Sequence, residues 1–365
     1  MTYLTRVEAA LEQIAHEHRL RTISGDPPRY AADFSTNDYL ALAADSRMVE
    51  AMRRIPRVGS GGARLLGGRS REHFLLEEDL ARWRHRERAL IFSSGYMAAL
   101  GVIPALAQFV NVVYSDALNH ASLIDGVRSS RAEREIYPHA HLPPRSRRAA
   151  SSLIITESLF GMDGDTIDVP AIVADLGEND ILLLDEAHAA GVLGHQGAGL
   201  ACELDDPRIV ITGSLGKAVG TAGGFIAGPA RLVELLVNTA RTFIFDTAPP
   251  PAIAFAARVG VLLATGADDR RARLRSRIER LRSGLSTLGF AVPQSQTPIV
   301  PVIFGQEVRT MRAMECCLER GVYAPAIRPP TVPQGASRLR ISLRCDHTDE
   351  QIDLLLESLA CTVTL

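Results

Sequence analysis

Lysine is almost missing from this chain. Of 40 basic residues one is lysine, Lys217, and the remaining 39 are arginine. Arginine-biased codon usage strips lysine from solvated surfaces at little cost, which explains the missing lysines but not the one that stays. Cysteine is also sparse: Cys202, Cys316, Cys317, Cys345 and Cys361. Neither their number nor their spacing suits a disulfide framework or a zinc site, and no metal is expected; the implied compartment is a reducing cytoplasm. Charge of one sign is lacking, with a net charge of −2, so no electrostatic footprint for nucleic acid or an anionic membrane is expected. No apolar run reaches the length of a bilayer span, and the N-terminus shows no signal-peptide pattern. Internal repeats and low-complexity segments are absent.

What is present is a chain of 365 residues, enough for a large buried core. Apolar runs of strand length recur at residues 89–92, 110–114, 134–137, 153–156, 181–184, 209–212 and 224–227. Several are continuous rather than alternating, as expected for strands covered on both faces of a mainly parallel sheet. Helical stretches lie between them; in 72–84, Leu76, Leu80 and Trp83 form one apolar face. After Pro249-Pro250-Pro251 the texture changes to two long helices near 252–265 and 268–288, then short strands near 299–304, 322–324 and 339–343, and a closing helix bearing Ile352, Leu355, Leu356 and Leu359. The expected fold is α/β: a mainly parallel sheet flanked by helices in a large domain over 36–265, a smaller α+β domain over 266–365, and an N-terminal helix and arm over 1–35.

The lone lysine sits in a loop of small residues, Gly213-Ser214-Leu215-Gly216-Lys217, just past the run Ile209-Val210-Ile211. A lysine kept for solubility belongs on a charged helix face; one held here reads as an amine nucleophile, a role closed to an always-charged guanidinium. A second strand, Ile181-Leu182-Leu183-Leu184, runs directly into Asp185-Glu186-Ala187-His188. A carboxylate at the end of a buried strand needs a cation or donor to offset its desolvation, and ligands of open α/β sheets sit at strand carboxyl ends. Asp-Glu-Ala-His also occurs in helicases, but Ile211 and Ala218 stand where a phosphate-binding Gly-x4-Gly-Lys-Ser/Thr loop needs glycine and a hydroxyl. Gly59-Ser60-Gly61-Gly62-Ala63-Arg64 likewise fails the dinucleotide fingerprint at its last glycine. A nucleotide enzyme is thereby disfavoured. Phe92-Ser93-Ser94-Gly95-Tyr96 reads as a strand entering a helix, whose first amides could take a phosphate while Tyr96 flanks a flat ring; a plain strand–helix turn is the competing reading. In Asn119-His120-Ala121-Ser122 the histidine alone reads more simply as a helix cap.

Together these elements describe a site for pyridoxal 5′-phosphate (PLP), and over essentially its whole length the chain resembles the α-oxoamine synthases, PLP enzymes of fold type I. The matching stretches are Phe34-Ser35-Thr36-Asn37-Asp38-Tyr39-Leu40, Gly59 to Arg64, Asn119-His120-Ala121-Ser122-Leu123, Met162-Asp163-Gly164-Asp165, Asp185 to His188 and Gly213 to Lys217. Near the C-terminus, Ala326-Ile327-Arg328-Pro329-Pro330-Thr331-Val332-Pro333 and Ser337-Arg338-Leu339-Arg340 look most like the biotin-pathway branch, which condenses L-alanine with pimeloyl-CoA or a pimeloyl carrier protein.

The resemblance implies the following roles. Lys217 carries the cofactor as a Schiff base and later acts as general base; Asp185 pairs with the pyridine nitrogen; His120 stacks on the ring and adjoins substrate; His188 meets the phenolic oxygen. Gly95 and Tyr96 line the cofactor, and Ser214 helps hold its phosphate. Thr247 matches a segment reaching the phosphate of a neighbouring subunit, so a homodimer with shared sites is implied. Arg340 matches the arginine that binds the amino-acid carboxylate, and Asn37, Arg21 and Thr331 match substrate-contacting positions. The chain departs from the family pattern at Gly161, where serine is usual, and at Ala189-Ala190, where Gly-Thr is usual. Alternatives at this stage are a glycine-using member with a short acyl-CoA, an aminotransferase or lyase of the same fold, and a non-catalytic partner subunit; Lys217 and both histidines count against the last.

Overall fold

The structure is a computed structural model that describes residues 2–17, 19–21 and 30–362. It divides into two compact units, Asn37–Gly161 with Asp165–Arg273, and Met1–Thr36 with Met162–Gly164 and Leu274–Leu365.

The first unit is built on seven strands: β1 (Arg88–Phe92), β2 (Val112–Asp116), β3 (Arg134–Tyr137), β4 (Ser152–Glu157), β5 (Ile181–Asp185), β6 (Ile209–Ser214) and β7 (Gly224–Gly228). Their spatial order is β1-β7-β6-β5-β4-β2-β3. All neighbours pair in parallel except β7, which runs antiparallel to both β1 and β6. The continuous apolar runs have the cause expected of them: β4 is buried at every residue, and Leu182, Leu183 and Leu184 of β5 are fully covered. Helix Gly95–Leu106 packs its Ala98, Val102 and Ile103 into a core shared with Phe92, Leu153, Leu183 and Ile226. Four strands extend one or two residues beyond their apolar runs at the carboxyl end and finish on a polar residue: Asp116, Glu157, Asp185 and Ser214. In a parallel arrangement these ends fall along one edge, where an open α/β sheet takes its ligands.

In the second unit, Ser337–Ser342 lies between Ile299–Gly305 and Ala326–Ile327 in an antiparallel three-stranded sheet. Ala32–Asp33 pairs in parallel with Val322–Tyr323, so the described end of the expected N-terminal arm is tied into this unit. Residues 22–29 of that arm lie outside the described residues. Helix Asp349–Ala360 is opened by a capping box between Thr348 and Gln351 and buries Ile352, Leu355 and Leu359. Among the described residues no single helix is long and apolar enough to cross a membrane.

Candidate active site

At the carboxyl edge of the seven-stranded sheet, Asp185 ends β5 with its side chain buried. Its Oδ1 accepts the Ala187 N–H at 2.8 Å. Burial raises its pKa, while the charges of Lys217 and His120 and the Ala187 N–H pull the other way. Buried carboxylates persist in a fold only where cations or donors meet them, and here the lysine and a histidine are the cations in range. Lys217 follows β6 in a loop whose shape is fixed by main-chain bonds: Thr221 N–H to Leu215 O and Gly220 N–H to Lys217 O. Gly220 sits at φ +74°, and a side chain there would collide with the Leu42–Ala43 backbone, so glycine is required.

His120 is the N-cap of helix Ala121–Ser130 and its Nδ1 accepts the Ser122 N–H. With Nδ1 accepting, a neutral ring carries its proton on Nε2. Burial lowers the His120 pKa and Lys217 adds to the fall, while Asp185 pulls it up. Its loop is pinned by Asn119, whose Nδ2 donates to Ile155 O at 2.9 Å and Ser115 Oγ at 3.0 Å. The histidine is therefore a cap, as its sequence context allows, and also a ring placed edge-on to Tyr96, with centroids 6.3 Å apart. The Tyr96 hydroxyl is bound to Asp125.

In the Asp-Glu-Ala-His run the side chains divide. Glu186 is fully buried, paired with the fully buried Arg84, and accepts the Leu200 and Ala201 N–H groups. It serves the fold. His188 is buried, and its Nδ1 lies 2.7 Å from the hydroxyl of buried Tyr39, which in turn reaches Asn37 Oδ1 at 3.1 Å. Gly161 packs directly on this histidine: a Cβ there would stand 2.5 Å from His188 Nε2. The departure from serine is thus a condition of where His188 sits in this chain. Ala189 and Ala190 are both buried, so the other departure falls in packed interior.

Gly95 opens its helix behind Ser94, whose Oγ caps the Met97 N–H at 3.1 Å. A Cβ at Gly95 would meet Gly213 O at 3.3 Å and Ser214 Cβ at 3.5 Å, so the helix start lies against the end of β6. Ser214 Oγ accepts the Gly216 N–H at 3.1 Å. Thr247 is exposed and bridges to Ala63. The structure brings Lys217, Asp185, His120, His188, Gly95, Tyr96 and Ser214 to the strand ends of one unit, with Asn37 joined to His188 through Tyr39. Arg21, Thr331 and Arg340 belong to the other unit. Arg21 and Thr331 are exposed. Arg340 is buried in the central strand of its sheet, with its guanidinium 2.5 Å from Ser342 Oγ. Arg338, on the same face two residues earlier, is bound to Asp163 and to Met162 O.

This donor set suits PLP. An aldehyde needs an amine, a ring nitrogen needs a buried carboxylate, a flat ring needs an aromatic partner, and a phosphate needs free amides at a helix start; each is present at one sheet edge.

Two residues at this edge carried no expectation. Tyr39 lies inside a matched stretch, but a tyrosine among polar residues gives no sign that it will be buried against a histidine 149 residues away. Glu157 is one residue beyond an apolar run, the same signal that singled out Asp185, but it lacks a histidine nearby in sequence. A third finding is His139, bridged between Asp116 (3.0 Å) and Asp165 (2.7 Å) and packed on Phe160. Hydrogen bonds from Asp116 and then Asp165 push its pKa up to about 10 from 6.5. Stability from this bridge is fully present below about 6.5 and is lost as pH rises through about 10. Because the ring is partly exposed, the contribution is expected to be about 1–2 kcal/mol. Urea unfolding of the parent and His139→Gln should therefore diverge at pH 6 and converge toward pH 10; a constant gap would show that the histidine acts by packing alone.

The sequence matches the aminotransferase class I and II family over residues 31–359. An 8-amino-7-oxononanoate synthase from Thioalkalivibrio sulfidiphilus is 42% identical over 91% of this chain and 88% of its own length. One from Alkalilimnicola ehrlichii is 43% identical over 89% and 86%. Among solved structures, a serine palmitoyltransferase from Sphingomonas wittichii superposes with a TM-score of 0.89 at 26% identity, covering 100% of both chains. A serine palmitoyltransferase structure holding PLP gives 0.89 at 26% identity over 99% of this chain and 98% of its own. The 8-amino-7-oxononanoate synthase of Francisella tularensis gives 0.78 at 28% identity over 91% and 98%.

Proposed function

The chain belongs to the aminotransferase class I and II family and, within it, to the 8-amino-7-oxononanoate synthases, and from that premise we propose that its substrates are L-alanine and a pimeloyl thioester, carried on CoA or on a carrier protein. It is a PLP-dependent acyltransferase of fold type I that makes 8-amino-7-oxononanoate in biotin biosynthesis. The observation that carries the residue assignments is a buried carboxylate, Asp185, within electrostatic range of the chain's one lysine at the strand ends.

Lys217 would hold the cofactor aldehyde, Asp185 its ring nitrogen, His120 its face and His188 its phenolic oxygen. Gly95, Tyr96 and Ser214 would line it, with Thr247 turned toward the phosphate of a partner subunit in a homodimer. When bound, PLP supplies an electron sink that stabilises negative charge at the amino-acid Cα before acyl transfer and after loss of CO2. Every other task falls to the protein. Asp185 would pair with the ring nitrogen and favour a proton there. Lys217 Nζ would act as the general base, taking the proton from the substrate Cα and returning one to that carbon at the end. Arg340 fixes the amino-acid carboxylate through its planar fork, and Asn37, His120, Arg21 and Thr331 contact substrate. The acyl donor loses its thiol, which leaves with a proton. The proposed location is a reducing cytoplasm.

The test is thiol release across a panel of amino acids and acyl thioesters. L-Alanine with pimeloyl-CoA or pimeloyl carrier protein should turn over fastest. Preference for glycine with a short acyl-CoA, or amino transfer without thiol release, would overturn the assignment. The C-terminal Arg328-Pro329-Pro330-Thr331 segment favours the pimeloyl branch.

A further inference from the structure

The chemistry above leaves Glu157 without a task, yet it stands beside the group that has the most important one. Glu157 ends β4, and its register partner on β5 is Asp185. Register partners on adjacent parallel strands project to the same face, so two carboxyl groups lie side by side at the site edge, both buried. Such a pair is costly unless each oxygen is met. Asp185 has Lys217, His120 and the Ala187 N–H. Glu157 has two main-chain donors from two different loops. Its Oε1 accepts the His120 N–H at 2.7 Å, and the carboxyl also accepts the N–H of Gly161. One loop carries the imidazole assigned to the ring face. The other is the loop whose glycine packs on His188 Nε2 with no room for a Cβ.

We propose that Glu157 is a positioning residue: its carboxyl clamps the His120 and Gly161 main chains together and so sets the placement of the His120 and His188 rings around the cofactor. The inference rests on the cofactor reading above. Burial and the neighbouring Asp185 push the Glu157 pKa up to about 8, while Lys217 and the two N–H groups oppose the shift. The site therefore tolerates an acid in a place where an apolar residue would be cheaper, and what the acid provides is a carboxyl that accepts from the main chains of two loops. Glutamine has the same length but a single acceptor oxygen for the two N–H groups. Aspartate keeps both oxygens but is one methylene short of bridging them.

The experiment compares Glu157→Gln and Glu157→Asp with the parent, each as PLP-loaded protein and as apoprotein. Loss of one hydrogen bond from the clamp should speed PLP release on dialysis by roughly tenfold. The visible circular dichroism band of bound PLP, which reports the tilt of the ring in its asymmetric site, should change in amplitude or sign in both variants. Apoprotein melting should stay near that of the parent. A plain strand-end carboxyl predicts the reverse pattern: lower apoprotein melting, with unchanged release and unchanged dichroism. That pattern, or variants indistinguishable from the parent, or failure of both to fold, overturns the proposal. A parent protein that takes up no PLP overturns the cofactor reading and this proposal together, whereas a PLP-loaded parent with unaffected variants overturns this proposal alone.

Discussion

Replacing Lys217 with alanine should remove covalent cofactor attachment altogether. In most proteins of this size a neighbouring lysine can capture an aldehyde when the proper one is lost. Here no other lysine exists, so only the N-terminal amine remains. The purified Lys217→Ala protein should lack the yellow colour of a lysine-bound cofactor, and borohydride should fix no PLP to any internal residue. Turnover should fall by at least about 10⁴-fold, because the same amine supplies both the attachment and the proton transfers at Cα. The fold should survive, since the main-chain bonds of the loop, Thr221 N–H to Leu215 O and Gly220 N–H to Lys217 O, are kept by alanine. Mass spectrometry after reduction decides the matter. PLP fixed at any site but the N-terminal amine, or turnover within tenfold of the parent, would remove Lys217 from the centre of the chemistry.

Asp185→Asn is expected to have the next largest effect, and of a different kind. The amide is isosteric and can still accept the Ala187 N–H, so folding and cofactor attachment should persist. What should disappear is the carboxylate charge proposed to keep a proton on the ring nitrogen. A desolvated charge-assisted contact is worth about 2–4 kcal/mol, or roughly 30- to 1000-fold in rate. The loss should appear mainly in kcat, because negative charge at Cα develops after substrate has bound. Near-normal kcat in Asp185→Asn would mean that the aspartate is only a strand-end residue satisfied by its Ala187 N–H.

These two residues were legible for related reasons. Lys217 stands out by composition, because a chain that has otherwise lost lysine keeps one in a loop after a buried strand. Asp185 stands out by contrast, an acid following four apolar residues. Both signals are local, and so is the α/β character: the strands follow from apolar runs whose length and continuity reflect coverage on two faces. His120 was recognisable by motif alone, since a histidine before a helix has the same local pattern whether it caps, stacks or both; the structure gives it the cap through Ser122 and the edge-on contact with Tyr96.

The reversal of β7, by contrast, could not be read from its run of residues. An antiparallel strand inserted between β1 and β6 has the same buried texture as its parallel neighbours. The meaning of Gly161 also waited for three dimensions. In sequence it is a missing hydroxyl; in the fold it is the space that His188 Nε2 occupies. Tyr39 was invisible, and the strand-end signal of Glu157 said nothing of its partners, for the same physical cause. Their partners are Asp185 on the next strand and His188 in the loop that follows it, and register and loop closure, not local propensity, decide which distant residues share a face. The sequence by itself determined the lone lysine in its loop after a buried strand, the strand-end acid and the layered α/β class, because each is written in a short run of residues. Tertiary structure alone decided which buried groups meet: it paired Glu186 with Arg84, set Glu157 beside Asp185 and joined Tyr39 to His188, since hydrogen-bond partners brought together by sheet register leave no trace along the chain.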